Sequence, residues 1–185
     1  MKRIMWCKLF FVLFTFLITN VAKGQVFITV GGDVGLPANG NSSTGFGATV
    51  GGELFNGSRL SATLTVGAMF FERGYEIIPS GEQHYFRRTF LSFLFGGKYI
   101  LVPAKRYKGG LFVSAEAGIA GRRIRYEKPP EWFYIDNGDI AVQLAPGIGY
   151  QYKKVEVSLR RTICTNLIEN HYNFRVTYRI QLSRE

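Results

Sequence analysis

From residue 26 onward, apolar and polar side chains exchange places at every second position over stretches of about ten residues, as strands facing two different environments require. Eight such stretches can be marked, at about residues 26 to 36, 45 to 55, 59 to 72, 85 to 101, 110 to 126, 139 to 152, 155 to 164 and 172 to 183. The last is the clearest. It carries Tyr172, Phe174, Val176, Tyr178, Ile180 and Leu182 on one face and Asn173, Arg175, Thr177, Arg179 and Gln181 on the other. The seventh sets Val155, Val157 and Leu159 against Glu156, Ser158 and Arg160. The sixth sets Ile140, Val142, Leu144, Ile148 and Tyr150 against Gln143, small residues and Gln151. The earlier stretches alternate more loosely: Val26, Ile28, Val30 and Val34 oppose Thr29 and Asp33, and Leu60, Leu64, Val66 and Phe70 oppose Ser61, Thr63 and Thr65. In the fifth, Leu111, Val113 and Ile119 face away from Ser114, Glu116 and Arg122. The fourth is apolar on both faces from Phe90 to Phe95, so the pattern assigns it no register.

The links between these stretches alternate in length. Asn56-Gly57-Ser58, Val102 to Gly109 and Lys153-Lys154 are the shorter set; Pro37 to Thr44, Arg73 to His84, Glu127 to Gly138 and Thr165 to His171 are the longer. Asn56-Gly57 is a strong tight-turn dipeptide. An even strand number with short links at one end and longer ones at the other predicts an all-β, eight-stranded antiparallel up-and-down transmembrane β-barrel over residues 25 to 185. The short links are expected in the periplasm and the long ones outside.

Residues 1 to 24 read as an export signal: Lys2, Arg3 and Lys8 precede the apolar run Leu9 to Ile18, and Ala22-Lys23-Gly24 offers small residues for cleavage. The run is short of the roughly 20 residues a spanning helix needs. Removing the segment takes four cations and no acid with it, so the net charge falls from +10 to about +6. Export sets aside nucleic acid as a partner and leaves lipid phosphates as the anions to be met. Cys7 lies in the signal, so Cys164 has no internal disulfide partner.

Alternation alone leaves open which face is inside. A soluble lipocalin-like binding barrel has the opposite polarity to a membrane barrel, with its apolar face toward the ligand. The polar faces here carry Asp33, Glu53, Glu116 and Glu156 together with Lys98, Arg122, Arg160, Arg175 and Arg179, a set able to neutralise itself. Eight strands enclose a space that side chains fill, so a wide aqueous pore is not expected. Buried charge is costly unless paired; the reading therefore places Glu156, Arg160, Arg175 and Arg179 in an ionic network with Asp33, Glu53 and Glu116.

The pieces Gly-Asp-Val-Gly-Leu at 32 to 36, Arg73-Gly74-Tyr75, Gly97-Lys98-Tyr99, Ala117-Gly118, Thr165-Asn166-Leu167 and the amphipathic run Arg175 to Arg179 resemble the small outer-membrane barrels grouped as PorT-like or general outer-membrane β-barrel proteins. The resemblance runs along the whole of residues 25 to 185. Such barrels often end on an aromatic residue, whereas this sequence reads Gln181-Leu182-Ser183-Arg184-Glu185. The resemblance implies an outer-membrane location and includes accessory parts of secretion and surface assemblies.

Candidate chemistry is sparse. A surface lipid A hydrolase needs Ser, His and an acid together. The two histidines, His84 and His171, lie in expected outer loops, and Glu169-Asn170-His171 offers acid and base without a local nucleophile, so no catalytic residue, metal site or cofactor is assigned. Arg87, Arg88, Arg123 and Arg125 are expected at one level on adjacent strands, as a rim able to grip lipid A phosphates of lipopolysaccharide or an acidic partner. Arg122 is the member expected to turn into the lumen. Trp132, Phe133 and Tyr134 form a second candidate contact in a loop, or part of an interfacial aromatic girdle. The expected function is that of a non-catalytic barrel, either structural or an accessory subunit of a larger assembly.

Overall fold

The structure, a computed structural model, describes residues 25–38, 42–55, 59–77, 83–103, 109–127, 139–165 and 170–182. The signal segment, the Asn56-Gly57-Ser58 link and the Trp132-Phe133-Tyr134 loop lie outside these residues. Eight strands follow in order: β1 (Gln25–Pro37), β2 (Gly45–Phe55), β3 (Leu60–Ile77), β4 (Gln83–Pro103), β5 (Gly109–Tyr126), β6 (Asp139–Tyr152), β7 (Val155–Cys164) and β8 (His171–Gln181). Each pairs antiparallel with its neighbours in sequence, and β1 pairs with β8 to close the barrel. Closure leaves no strand edge, as a sheet crossing hydrocarbon demands, because every backbone N–H and C=O needs a partner there.

Alternation becomes polarity once the barrel is closed. Outward lie Val30, Val50, Val66, Leu91, Phe93, Phe95, Val142, Leu144, Leu159, Phe174, Val176 and Ile180, all exposed. Inward and buried lie Asp33, Glu53, Lys98, Glu116, Gln143, Glu156, Arg160, Arg175 and Arg179. Tyr99, Tyr150, Tyr152 and Tyr178 stand on the outer face toward the short-link end, and Tyr172 toward the other. Aromatic residues at those levels suit the water–hydrocarbon boundary.

β4 takes the register that its sequence left open. Phe86, Phe90, Leu94, Lys98 and Ile100 point inward; Leu91, Phe93 and Phe95 point outward. Both faces are apolar because the lumen itself is apolar toward the long-link end, where Met69, Phe71, Phe90, Ala141 and Cys164 form a buried cluster. A Cβ at Gly45 would lie 2.7 Å from the Phe71 ring, so this glycine makes room for the cluster.

Two departures from the expected strands share a cause. The segment Arg73 to His84, expected as a link, is mostly strand: β3 and β4 continue pairing through Gly74↔Phe86 to Ile77↔Gln83. Arg73-Gly74 is expected to open the link, but a register shift between Phe71 and Gly74 absorbs the extra residue as a bulge and the ladder resumes. The end of the first long link fastens onto this bulge. Ser43 N–H donates to the Arg73 carbonyl at 2.6 Å, and Arg73 N–H donates to Ser43 Oγ at 3.0 Å. At the opposite end, the Lys153-Lys154 turn places Lys153 at φ 54°, a left-handed conformation uncommon outside glycine.

Candidate functional site

Among the described residues, four carboxylates and four cations are buried inside the barrel, and they are brought together in pairs. Nearest the short-link end, Lys98 Nζ stands 2.8 Å from Glu53 Oε1 and 2.8 Å from Glu156 Oε2, and it donates to Gln151 Oε1 at 3.0 Å. Arg179 Nε donates to Glu53 Oε2 at 2.8 Å, with its guanidinium 4.0 Å from the centre of the Phe27 ring. Further along, Arg160 Nη1 donates to Glu116 Oε2 at 2.5 Å, while Thr63 and Thr65 hydroxyls each donate to Glu116 Oε1 at 3.1 Å. Arg175 Nε donates to Asp33 Oδ1 at 2.6 Å. Charge-assisted bonds of this length are the strong kind, and each acid has a counter-ion at contact distance.

Local sequence makes these reaches possible. A Cβ at Gly147 would stand 2.8 Å from Arg160 Cγ and 3.0 Å from Ser114 Oγ, so the missing side chain opens the path by which Arg160 crosses from β7 to Glu116 on β5. Asp33 and Arg175 are direct partners across the β1–β8 closure. All seven residues read from the sequence as a network (Asp33, Glu53, Glu116, Glu156, Arg160, Arg175 and Arg179) point into one lumen. Lys98 is the member that the sequence reading left outside the pairing, although it bridges two of the acids. Its position on β4, whose register the pattern did not assign, is the reason; Gly97-Lys98-Tyr99, polar inside an apolar run, was the available signal.

Between Asp33, Arg160, Arg175, His171 and Asn173 lies a cavity of about 30 Å³, room for about one water molecule. A wider opening of about 300 Å³ at the short-link end is lined by Phe27, Phe55, Ile100, Lys153, Lys154 and Arg179.

His171, expected in a solvated outer loop, is instead the buried first residue of β8. Its ring meets Phe71 edge-on with centroids 5.5 Å apart and lies 5.9 Å from the Phe90 centroid. The hairpin turn ends one residue earlier than the sequence suggested, and the apolar end of the lumen takes up the imidazole. His84 sits in β4, half-buried. Among the described residues, no three His, Cys, Asp or Glu side chains are grouped to hold a metal ion.

The four arginines expected at the rim divide between the two faces. Arg87 and Arg125 are direct partners on the outer face, and Arg123 lies on the same face opposite Thr89. Arg88 turns inward, half-buried: its guanidinium lies 4.0 Å from the centre of the Phe86 ring and donates from Nη1 to Ser42 Oγ at 3.1 Å. The division follows from strand alternation, which places adjacent residues on opposite faces. Arg122 is likewise half-buried on the inward face of β5.

No protein-family model matches the chain, and no curated protein matches it. Solved structures do. Ail, the attachment invasion locus protein of Yersinia pestis, solved with the heparin analogue sucrose octasulfate, superposes with a TM-score of 0.55 at 9% identity, covering 85% of this chain and 99% of that one. A second Ail structure gives 0.54 at 7% identity over the same shares. The N-terminal β-barrel domain of Pseudomonas aeruginosa OprF gives 0.48 at 13% identity, again over 85% and 99%. The chain therefore has the fold of a small eight-stranded transmembrane β-barrel. What it holds in common with Ail is that fold, carried by a very different sequence.

Proposed function

We propose that this chain is an integral outer-membrane protein, exported through residues 1 to 24, that performs no catalysis and works by scaffolding. In this reading it is a structural barrel or an accessory subunit docked to a larger surface or secretion assembly, as PorT-like barrels are. The observation that carries the reading is the polarity of the wall. An apolar outer face surrounds a lumen in which the buried carboxylates and cations of the described residues are paired with one another. With the lumen occupied by paired charges rather than by an apolar chamber, the work in this reading falls to the rim, the links and the outer wall. A lipocalin-like binder requires the reverse polarity. A lipid hydrolase built on Glu169-Asn170-His171 needs that histidine at the surface, whereas the His171 ring packs against Phe71 and Phe90.

At the rim, Arg87, Arg123 and Arg125 together are suited to phosphate groups of lipopolysaccharide on the outer face of the β4–β5 pair. Trp132, Phe133 and Tyr134 remain a proposed contact in the link that follows β5.

The test is fractionation followed by gentle purification. The protein is expected to resist extraction by salt and carbonate, to show heat-modifiable gel mobility, and to elute from mild detergent with at least one stoichiometric companion if it is an accessory subunit. Release of native protein by carbonate overturns the membrane reading. Elution as a lone barrel, with membranes solubilised under several mild detergents, leaves only the structural role.

A further inference from the structure

One strand pair of the barrel wall is interrupted without a slip. β6 and β7 pair at Gln143↔Cys164 and Leu144↔Ile163, miss two positions, and resume at Gly147↔Arg160 in the same register. Pro146 is the cause. Thr165 N–H donates to the Val142 carbonyl, and from that phase Pro146 and Arg161 are a pair that should exchange two hydrogen bonds. Proline has no N–H to give, so the Arg161 carbonyl loses the donor that any other residue would offer it. On its other side Pro146 keeps its place opposite Ala115. Proline in sheets belongs at edges, and a closed barrel has none; here it makes a short stretch of edge inside the wall.

Arg161 adds a second defect at the same place. Its side chain is exposed on the outer face, 5.9 Å from the centre of the Tyr172 ring. The surrounding outward positions are Leu144 and Ile148 on β6, Leu159 on β7, and Tyr172 and Phe174 on β8, all apolar or aromatic and exposed. A lone cation in a lipid-facing apolar wall is costly, and such residues in membrane proteins mark sites of interaction.

We infer that the β6–β8 wall around Pro146 and Arg161 docks a membrane-embedded partner protein that presents a carboxylate to the Arg161 guanidinium. Charge complementarity identifies the partner's chemistry. Among the described residues a second copy of this chain presents no exposed acid at that level: Glu72 and Glu127 lie at the long-link end rather than in the apolar belt. The inference rests on the accessory-subunit reading and gives that subunit its contact face.

The experiment places a photoreactive phenylalanine analogue at Leu159 in the full chain in its native membrane, and at Val66 on the opposite wall as a control. The expected result is one protein adduct from Leu159 and none from Val66. Arg161→Glu lowers the adduct at least tenfold, Arg161→Leu lowers it as well, and changing an acid in the captured partner peptide to Arg restores it for Arg161→Glu. Heat-modifiable mobility of each variant establishes that the barrel is intact. Adducts with lipid or lipopolysaccharide alone, equal adducts from Val66, or an adduct indifferent to Arg161→Glu overturn the inference. A companion that co-elutes with wild type but crosslinks from other walls overturns the docking face while leaving the accessory-subunit reading in place.

Discussion

Lys98→Met tests whether the lumen is held by charge pairing or merely by filling. The substitution keeps length and volume and removes one positive charge from between Glu53 and Glu156. Glu53 retains Arg179 at 2.8 Å, whereas Glu156 is left with no ion pair among the described residues. Leaving a buried charge without its partner costs about 3–5 kcal/mol. At 1.36 kcal/mol per power of ten, this is a loss of about two to four powers of ten in the folding equilibrium. Adding Glu156→Gln removes the orphaned charge, and the double variant should recover more than half of the loss. Both are measured by urea titration of the barrel in lipid vesicles, with the folded fraction read from the gel mobility of unheated samples. A Lys98→Met barrel that unfolds at the wild-type urea concentration refutes the pairing, and so does a double variant no more stable than the single one.

Three further outcomes follow from the same geometry. Arg87→Gln, Arg123→Gln and Arg125→Gln together should lower the lipopolysaccharide phosphate that co-purifies, while Arg88→Gln, which turns inward, should leave it within about twofold; phosphate analysis of the purified protein separates them. Cys164 is buried against Met69, Phe71 and Phe90, so a water-soluble maleimide should label it at least a hundredfold more slowly in the folded barrel than in urea. Phe71→Ala should destabilise by about 3–5 kcal/mol through the cavity left in that cluster, read in the same urea titration.

Much of the fold was legible because β6, β7 and β8 alternate strictly, and a period of two admits a single assignment of faces once one environment is lipid. β4 resisted because its lumen-facing Phe86, Phe90 and Leu94 are as apolar as its outward Leu91, Phe93 and Phe95. The continuation of β3 and β4 was hidden at Arg73-Gly74, where the alternation breaks because a bulge takes up one extra residue before the ladder resumes. The members of the lumen network could be read from their faces, but their partners could not. Partnership depends on how far each side chain reaches across a closed wall, and so Lys98, placed on a polar face, was left out of the pairing, while Asp33 and Arg175 fall opposite each other only at closure. The Pro146 defect was printed in the sequence, yet it acquires meaning only when β6 has a neighbour on each side.

The pairing across the closure has a consequence for biogenesis. Asp33 and Arg175 are separated by 142 residues, and Glu53 and Arg179 by 126. The early hairpins therefore enter the bilayer carrying acids whose arginines arrive only with the final strand. An open sheet is penalised until that strand docks, and then several charges are neutralised in one step. Insertion and closure are thus coupled into a single cooperative event, and a chain stalled before its last hairpin has reason to stay with whatever machinery is holding it rather than drift into the membrane half-built.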